Sequence, residues 1–311
     1  MYVLIADPEA NDYKTYLESK FPALSIHAVS TEKEILPHAE KMDILVTIFR
    51  ASDDVFKRAL RLQWVQALTT GVNYILNRPS LRKDVILTSC RGIHGPQMSE
   101  MAFLLMLALN RNFPQVIRNQ DRGVWERWPG KLLLRKKVGI FGVGVIGKEI
   151  AQKCKAFGMT VLGIDIVRPK LDSVDAFYGP EDLQRVAEEV DYLILVAPAT
   201  PDTERIIGNK VLASMKPTAF LINLARGELV DEDALIQALD AGKIAGAALD
   251  ALSSEPLPRD HPLWGKRNVI ITPHVGGMSD IYREQAMPIL EENLRRFLQG
   301  ERRNLINYVE R

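Results

Sequence analysis

The strongest constraint on the fold is a glycine-rich segment at residues 136–150, near the middle of the chain. Val138 to Phe141 is a short apolar run, typical of a buried strand. Gly142, Gly144 and Gly147 follow it and complete a G-x-G-x-x-G pattern. The glycines allow a tight turn, a close approach to the backbone, and close packing of a helix on the strand. By itself the pattern is weak evidence for a dinucleotide site, because many such matches are only tight turns.

The residues after the glycines complete a β-α-β unit. Lys148 to Ala156 has helical spacing, and the strand-like run Thr160 to Asp165 ends on an acid 18 residues after Gly147. Such a unit binds the pyrophosphate of a dinucleotide at the helix N-terminus. Asp165 can accept hydrogen bonds from the ribose hydroxyls and would repel a 2′-phosphate, which favours NAD. Arg168, three residues on, leaves NADP possible.

Strand-like segments alternate with helical ones on both sides of this unit, which is typical of parallel α/β domains. A hinge-like helix from Met98 to about Arg111 leads away from the first half, which has no glycine fingerprint. A C-terminal amphipathic helix, about Ile281 to Leu298, and a short tail could return to that half. The strand-like segments are residues 2–6, 25–29, 44–48, 64–68 and 85–88 in the first half, and 138–141, 160–165, 192–196, 219–223, 245–249 and 269–272 in the second.

The predicted fold is therefore α/β, with two Rossmann-like or flavodoxin-like parallel-sheet domains and an active-site cleft between them. A discontinuous domain is expected at 1–96 and 285–311, with a Rossmann domain that binds NAD(P) inserted at 97–284. The length of 311 residues agrees with two domains, because single cores rarely grow beyond ~250–300 residues.

Bulk properties exclude several classes of partner. The net charge of +1 gives no support for binding to nucleic acid or to a membrane surface. The longest apolar run, Met101 to Leu109, is far shorter than the ~20 residues that span a bilayer. Cys90 and Cys154 have no metal-ligand spacing, so we expect buried, reduced thiols and no metal. With no signal-peptide pattern at the N-terminus, a cytoplasmic location is the default.

Three polar residues follow predicted strands of the second half, where ligands of open α/β sheets bind. Arg226 comes after the strand that ends at Asn223, and a guanidinium there can bind a carboxylate with two hydrogen bonds. His274 follows the last strand and can exchange a proton near neutral pH. Glu255 can hold the imidazole of His274 in one tautomer. We predict that the three form one catalytic set.

Four ordered motifs resemble the D-isomer-specific 2-hydroxyacid dehydrogenase family: Gly-Val-Gly-Val-Ile-Gly, Asn-Leu-Ala-Arg-Gly-Glu-Leu-Val-Asp, Ala-Leu-Asp with Glu-Pro-Leu-Pro after four intervening residues, and Thr-Pro-His-Val-Gly-Gly. The resemblance implies that Arg226 binds the substrate, that His274 is the acid/base and that Glu255 is its partner. It also implies that the discontinuous domain, 1–96 and 285–311, is the substrate-binding (catalytic) domain, with a substrate-carboxylate loop at Thr70, Gly71 and Val72 and with Arg50 as a further pocket residue. The implied cofactor contacts are Gly142, Gly144, Val145, Ile146, Gly147, Asp165, Arg168, Pro198, Thr203, Ala225, Asp250 (on the nicotinamide side) and Gly276.

The activity implied is reversible hydride transfer between NAD(P)H and a small 2-oxo acid or D-2-hydroxy acid, such as glyoxylate or hydroxypyruvate. A dinucleotide-sensing regulator or corepressor on the same fold, and a phosphite dehydrogenase-like enzyme, stay open as alternatives. Formate dehydrogenases are a third alternative, which is disfavoured because they carry Gln where this chain has Glu255. A long phosphoglycerate-type enzyme with a regulatory C-terminal domain is not expected, because the sequence ends at Arg311.

The hinge segment departs from the family pattern, since it contains His94 followed by Gly95 and Pro96. His94 is either a structural residue or part of the substrate pocket. The resemblance further implies a homodimer, and the polar segment Asn112 to Gly130, with Trp125 and Trp128, is the expected contact.

Overall fold

The computed structural model describes all residues 1–311, which form two compact units: residues 1–93 with 279–311, and residues 94–278. The strands are β1 Tyr2–Ala6, β2 Ser25–Val29, β3 Ile44–Thr47, β4 Trp64–Ala67, β5 Ile86–Thr88, β6 Lys137–Phe141, β7 Thr160–Ile164, β8 Ala176–Tyr178, β9 Tyr192–Leu195, β10 Phe220–Asn223, β11 Gly246–Leu249 and β12 Val269–Ile271. The helices are α1 Ala10–Lys20, α2 Asp53–Arg58, α3 Asn73–Leu76, α4 Gly95–Asn110, α5 Phe113–Asp121, α6 Val145–Ala156, α7 Leu183–Glu189, α8 Asn209–Ser214, α9 Glu232–Asp240 and α10 Tyr282–Leu298.

The discontinuous unit is built on a five-stranded parallel sheet in the order β2-β1-β3-β4-β5. Val3, Leu4 and Ile5 of β1 are all buried, because both faces of the sheet are covered. This burial explains why the strand is a continuous apolar run rather than an alternating one. Helix α10 packs on one face through Leu290, Leu294 and Phe297, so the C-terminal segment completes the core of this unit.

The second unit is built on a seven-stranded parallel sheet in the order β12-β11-β10-β9-β6-β7-β8, with a hydrophobic core on each face. The glycine-rich turn begins at β6, where the order of the strands across the sheet reverses: β7 and β8 lie on one side of β6, and β9 to β12 lie on the other. This reversal is typical of a doubly wound dinucleotide fold. The predicted α/β class with two parallel sheets is confirmed. The predicted count of six strands is wrong, because β8 adds a seventh at the edge beside β7.

Three helices differ from the sequence prediction, and the first is α4, which begins at Gly95 rather than at Met98. Helix α6 begins at Val145, three residues earlier than predicted, so it starts inside the glycine pattern. The polar sequence of residues 112–130 favours a loop, but residues 113–121 form helix α5. Pro114 lies in the first turn of α5, where the missing N–H of proline costs no hydrogen bond. None of the ten helices has both the length and the apolar character needed to cross a bilayer.

Candidate active site

The predicted catalytic and cofactor residues gather at one edge of the seven-stranded sheet. All seven strands are parallel, so their carboxyl ends meet there. Predicted site residues follow five of these strands: the glycines follow β6, and the Asp165 loop follows β7. Arg226, Glu255 and His274 lie in the loops after β10, β11 and β12. A sixth, β9, is followed by Pro198 and Thr203, and the Thr203 hydroxyl donates to the Pro198 carbonyl at 2.8 Å. This edge is where doubly wound sheets bind their ligands.

The glycine turn has the shape that a dinucleotide needs. Gly142 adopts φ +98°, and a β-carbon there would lie 2.6 Å from the backbone nitrogen of Ala197. A β-carbon on Gly147 would overlap the carbonyl oxygen of Gly142, so helix and turn are packed backbone to backbone. Beside Gly144 there is open space within 4 Å. The N-cap residue of α6 is Gly144, which has no side chain to accept hydrogen bonds from the first N–H groups of the helix. The residues therefore fit a pyrophosphate.

Asp165 is held against the glycine turn. Its carboxylate accepts hydrogen bonds from the backbone N–H of Val143 at 2.7 Å and of Val167 at 3.0 Å. Each carboxylate oxygen keeps a second acceptor site, so the group can still receive ribose hydroxyls. The Arg168 guanidinium lies beside it and donates to Glu181 at 3.0 Å.

The loop after β10 is fixed by a buried amide that the sequence analysis did not assign. The side chain of Asn223 is 1% exposed and accepts from the backbone N–H of Ala225 at 3.0 Å. It also donates to the carbonyl groups of Arg226 at 2.8 Å and Ala251 at 3.2 Å. An Asn that directly follows a strand is a recognisable signal for such a turn. Asn223 thus fixes the backbone from which the half-buried Arg226 side chain projects.

His274 and Glu255 form the predicted pair. The Nδ1 atom of His274 lies 2.9 and 3.0 Å from the two carboxylate oxygens of Glu255. A carboxylate only accepts, so Nδ1 carries the proton and Nε2 is the ring atom left to face a substrate. Glu255 is itself oriented by a hydrogen bond from the backbone N–H of Leu252 at 3.1 Å. His274 has a left-handed backbone, with φ +54°.

Asp250 holds the loop that carries His274. One of its carboxylate oxygens accepts from the Thr272 hydroxyl at 2.6 Å and from the Val275 N–H at 3.0 Å. The other accepts from the Gly276 N–H at 2.9 Å. A left-handed conformation is uncommon for histidine and persists only where the surroundings fix it. These three hydrogen bonds fix it here.

His94 lies at the start of α4, 8% exposed, with its ring against Gly277. A β-carbon on Gly277 would lie 3.3 Å from Cδ2 of this ring. Burial first, and the Arg226 guanidinium second, lower the pKa of His94 to about 4. The imidazole is therefore neutral at physiological pH, and its ring lies against Gly277 of the loop that carries His274.

The predicted substrate residues lie at the corresponding edge of the five-stranded sheet. Arg50 follows β3 and is exposed, with its carbonyl accepting from Arg78 at 3.2 Å. Thr70, Gly71 and Val72 follow β4. The Thr69 hydroxyl donates to the Gly71 carbonyl at 2.9 Å and lies 2.9 Å from the Tyr74 hydroxyl, which shapes this loop.

Comparison with known proteins agrees with this geometry. Residues 103–276 match the model of the "D-isomer specific 2-hydroxyacid dehydrogenase, NAD binding domain" family. The chain belongs to the D-isomer-specific 2-hydroxyacid dehydrogenase family. Residues 103–276 lie within the 94–278 unit, which therefore contains the NAD-binding domain of this family of NAD(P)-dependent oxidoreductases.

Two relatives with different names have nearly the same sequence identity to this chain. A D-3-phosphoglycerate dehydrogenase of Methanocaldococcus jannaschii is 34% identical over 313 residues, which cover 98% of this chain and 59% of the relative. A glyoxylate reductase of Korarchaeum cryptofilum is 32% identical over 289 residues, which cover 90% of this chain and 87% of the relative. The chain thus spans little more than half of the first protein and most of the second.

Among solved structures, the fold matches a D-isomer-specific 2-hydroxyacid dehydrogenase from Xanthobacter autotrophicus Py2 in complex with NADPH and MES. The TM-score is 0.83 at 29% identity, over 99% of this chain and 98% of that one. That relative binds NADPH. Membership of the family therefore does not decide between NAD and NADP, and the preference depends on the residues of each chain.

Proposed function

We propose that this chain reduces a small 2-oxo acid, such as glyoxylate or hydroxypyruvate, to the D-2-hydroxy acid, and catalyses the reverse oxidation. The observation that carries the proposal is the His274–Glu255 pair, at 2.9 Å, on the same sheet edge as Arg226 and the glycine turn. The reduction of a 2-oxo acid requires three components: a binding site for the dinucleotide, a cation that binds the substrate carboxylate, and a proton donor.

The mechanism follows from the orientation of these side chains. The glycine turn and Asp165 would hold NAD(P)H, which when bound would supply the hydride for the carbonyl carbon. His274 protonates the carbonyl oxygen through Nε2, because Nδ1 is directed at Glu255. Glu255 keeps the ring in place and balances its positive charge before the proton leaves. Arg226 binds the substrate carboxylate and stabilises the negative charge that develops on the carbonyl oxygen. In the oxidation direction His274 takes up the proton of the hydroxyl group.

The preferred cofactor in this proposal is NAD(H). Asp165 lies beside the glycine turn, with both oxygens directed at backbone N–H groups of that region. A carboxylate in this position accepts ribose hydroxyls and repels a 2′-phosphate.

The discontinuous unit is the proposed substrate-binding domain. Thr70, Gly71 and Val72 would bind the substrate carboxylate through their backbone, and Arg50 would recognise a further anionic group. That second role gives a specific alternative substrate, because a phosphorylated 2-oxo acid carries such a group. The identity to the D-3-phosphoglycerate dehydrogenase of M. jannaschii favours including it as the second candidate.

The decisive experiment is a panel of 2-oxo acids with NADH and NADPH in parallel, followed by absorbance at the nicotinamide band. Glyoxylate, hydroxypyruvate and 3-phosphohydroxypyruvate are the informative members. Turnover with one of them establishes the enzyme and ranks the substrates. Binding of NADH without turnover of any member would instead support a dinucleotide-sensing regulator, and turnover of phosphite with NAD⁺ would support the phosphite dehydrogenase-like alternative.

His274→Gln tests the assigned roles on the best substrate. It removes the proton donor, so we expect kcat/KM to fall roughly 10²–10⁴-fold. His27→Gln is the matched control, since His27 lies on β2 in the other unit, within a strand rather than at its end. Near-normal turnover by the His274 variant would contradict the mechanism.

A further inference from the structure

The edge strand β8 brings an acid to the place where a 2′-phosphate would bind. Strand β8 pairs with β7, and the Asp165 N–H donates to the carbonyl of Tyr178 at 3.1 Å. Gly179 follows β8, and Glu181 comes two residues later. The loops after β7 and after β8 therefore lie side by side at the cofactor edge of the sheet.

The side chain of Glu181 folds back over Gly179. A β-carbon built on Gly179 would overlap the Glu181 carboxylate, which shows how closely this side chain lies over the glycine. The carboxylate then accepts a hydrogen bond from the Arg168 guanidinium at 3.0 Å. Nε of Arg168 also donates to the Asp165 carbonyl at 3.4 Å.

The ion pair is exposed at both ends, with side-chain exposures of 45% for Arg168 and 68% for Glu181. Exposed pairs of this kind contribute little to folding stability. The pair matters because of where it lies: Arg168 is the cation three residues beyond Asp165. An Arg near this loop is the group that accommodates the 2′-phosphate of NADP.

We propose that Glu181 is a cofactor-selectivity residue: it holds the Arg168 guanidinium and so keeps this cation from pairing with the 2′-phosphate of NADP(H). Asp165 rejects the phosphate by its own charge, and Glu181 occupies the cation that would counter that charge. This inference deepens the proposed preference for NAD(H) and rests on it.

The test measures ligand binding by the full-length protein rather than turnover. Isothermal titration calorimetry with NAD⁺ and NADP⁺ gives the selectivity. Adenosine 2′,5′-bisphosphate against 5′-AMP isolates the contribution of the 2′-phosphate. The variants are Glu181→Gln, Arg168→Gln and the double variant. Glu189→Gln is the matched control, because Glu189 also forms an exposed ion pair, with Lys137 at 3.0 Å, but at the opposite end of the sheet.

We expect Glu181→Gln to tighten binding of NADP⁺ and of the bisphosphate roughly threefold to tenfold, with less than a twofold change for NAD⁺. The gain should disappear in the double variant and be absent in Glu189→Gln. A gain that persists without Arg168 would show simple repulsion by Glu181 and overturn the proposal, as would no gain at all. If wild type binds neither dinucleotide, the proposed function fails together with this inference.

Discussion

Asp250 is a buried carboxylate with three hydrogen-bond donors directed at it, and all three belong to the loop that carries His274. In Asp250→Asn, an amide N–H₂ replaces one acceptor and faces a backbone N–H or the Thr272 hydroxyl. We expect a loss of about 1–3 kcal/mol in the free energy of unfolding. The His274 ring should shift as well, and kcat should fall roughly 10–100-fold. Urea unfolding and steady-state kinetics measure the two effects.

Thr272→Val is the control for Asp250, because it removes one hydrogen bond and keeps both backbone donors. Its effect on kcat should be clearly smaller. If Asp250→Asn destabilised the protein and left kcat unchanged, Asp250 would support the fold alone and would not position His274.

His94 predicts a pH dependence of stability. Burial first and Arg226 second lower its pKa from 6.5 to about 4 in the folded protein. As pH falls below about 6.5 the unfolded chain takes up a proton that the folded protein does not, so the free energy of unfolding decreases until about pH 4. Across this window the wild type should lose up to about 3 kcal/mol more than His94→Gln. Urea unfolding between pH 7 and pH 4 measures this difference, and parallel curves for the two proteins would contradict it.

Single residues of the site were predictable to different degrees. Arg226, Glu255 and His274 could be proposed as catalytic residues because each follows an apolar strand in the sequence. Asp250 was predicted as a nicotinamide contact, and its three loop hydrogen bonds were not foreseen. Which donors surround a carboxylate depends on how loops from neighbouring strands fold together, and residue spacing does not contain that information.

At the level of elements, α10 is fastened to the five-stranded sheet by a buried amide. Asn293 is fully buried and donates to the Gln66 side chain of β4 at 2.9 Å and to the Ile306 carbonyl at 3.1 Å. Its carbonyl oxygen accepts from the Ile306 N–H at 2.6 Å. One side chain thus joins the helix, the sheet and the C-terminal tail.

Asn293→Leu should leave the partners of this amide unpaired at a cost of about 2–4 kcal/mol. We expect a lower urea midpoint and faster hydrogen–deuterium exchange in peptides from β4 and from residues 300–311. Asn304→Ala, on the exposed part of the same tail, should change stability by less than about 0.5 kcal/mol. Unchanged exchange in the tail of the Asn293 variant would show that the amide does not hold it.

Elements were predictable where they are long or apolar. The five strands of the first sheet and six strands of the second could be located because they are nearly continuous apolar runs. Strand β8 escaped prediction, since it has three half-buried residues at a sheet edge and lacks such a run. Helix α5 escaped because its polar residues and Pro114 favour a loop when tertiary packing is unknown.

At the scale of the whole molecule, the 94–278 unit presents an apolar surface formed by α5 and the segment after it. Phe113, Val116 and Ile117 are exposed on α5, and Trp125 is 93% exposed, whereas the indole N–H of Trp128 is bonded to the Arg111 carbonyl at 3.3 Å. Exposed aromatic and aliphatic side chains in one region are typical of protein interfaces. We therefore propose that this surface is the contact of a homodimer.

A homodimer has twice the chain mass of 35.0 kDa, so light scattering after gel filtration should give about 70 kDa at ~10–50 µM protein. Ile117→Asp places a charge among the exposed apolar side chains of α5 and should shift the mass toward that of one chain, because an unpaired buried charge is costly. Leu60→Asp is the matched control, since Leu60 is 76% exposed but lies in the other unit, and this variant should stay dimeric. A monomeric wild type would remove the dimer, and dissociation of both variants alike would place the contact elsewhere than α5.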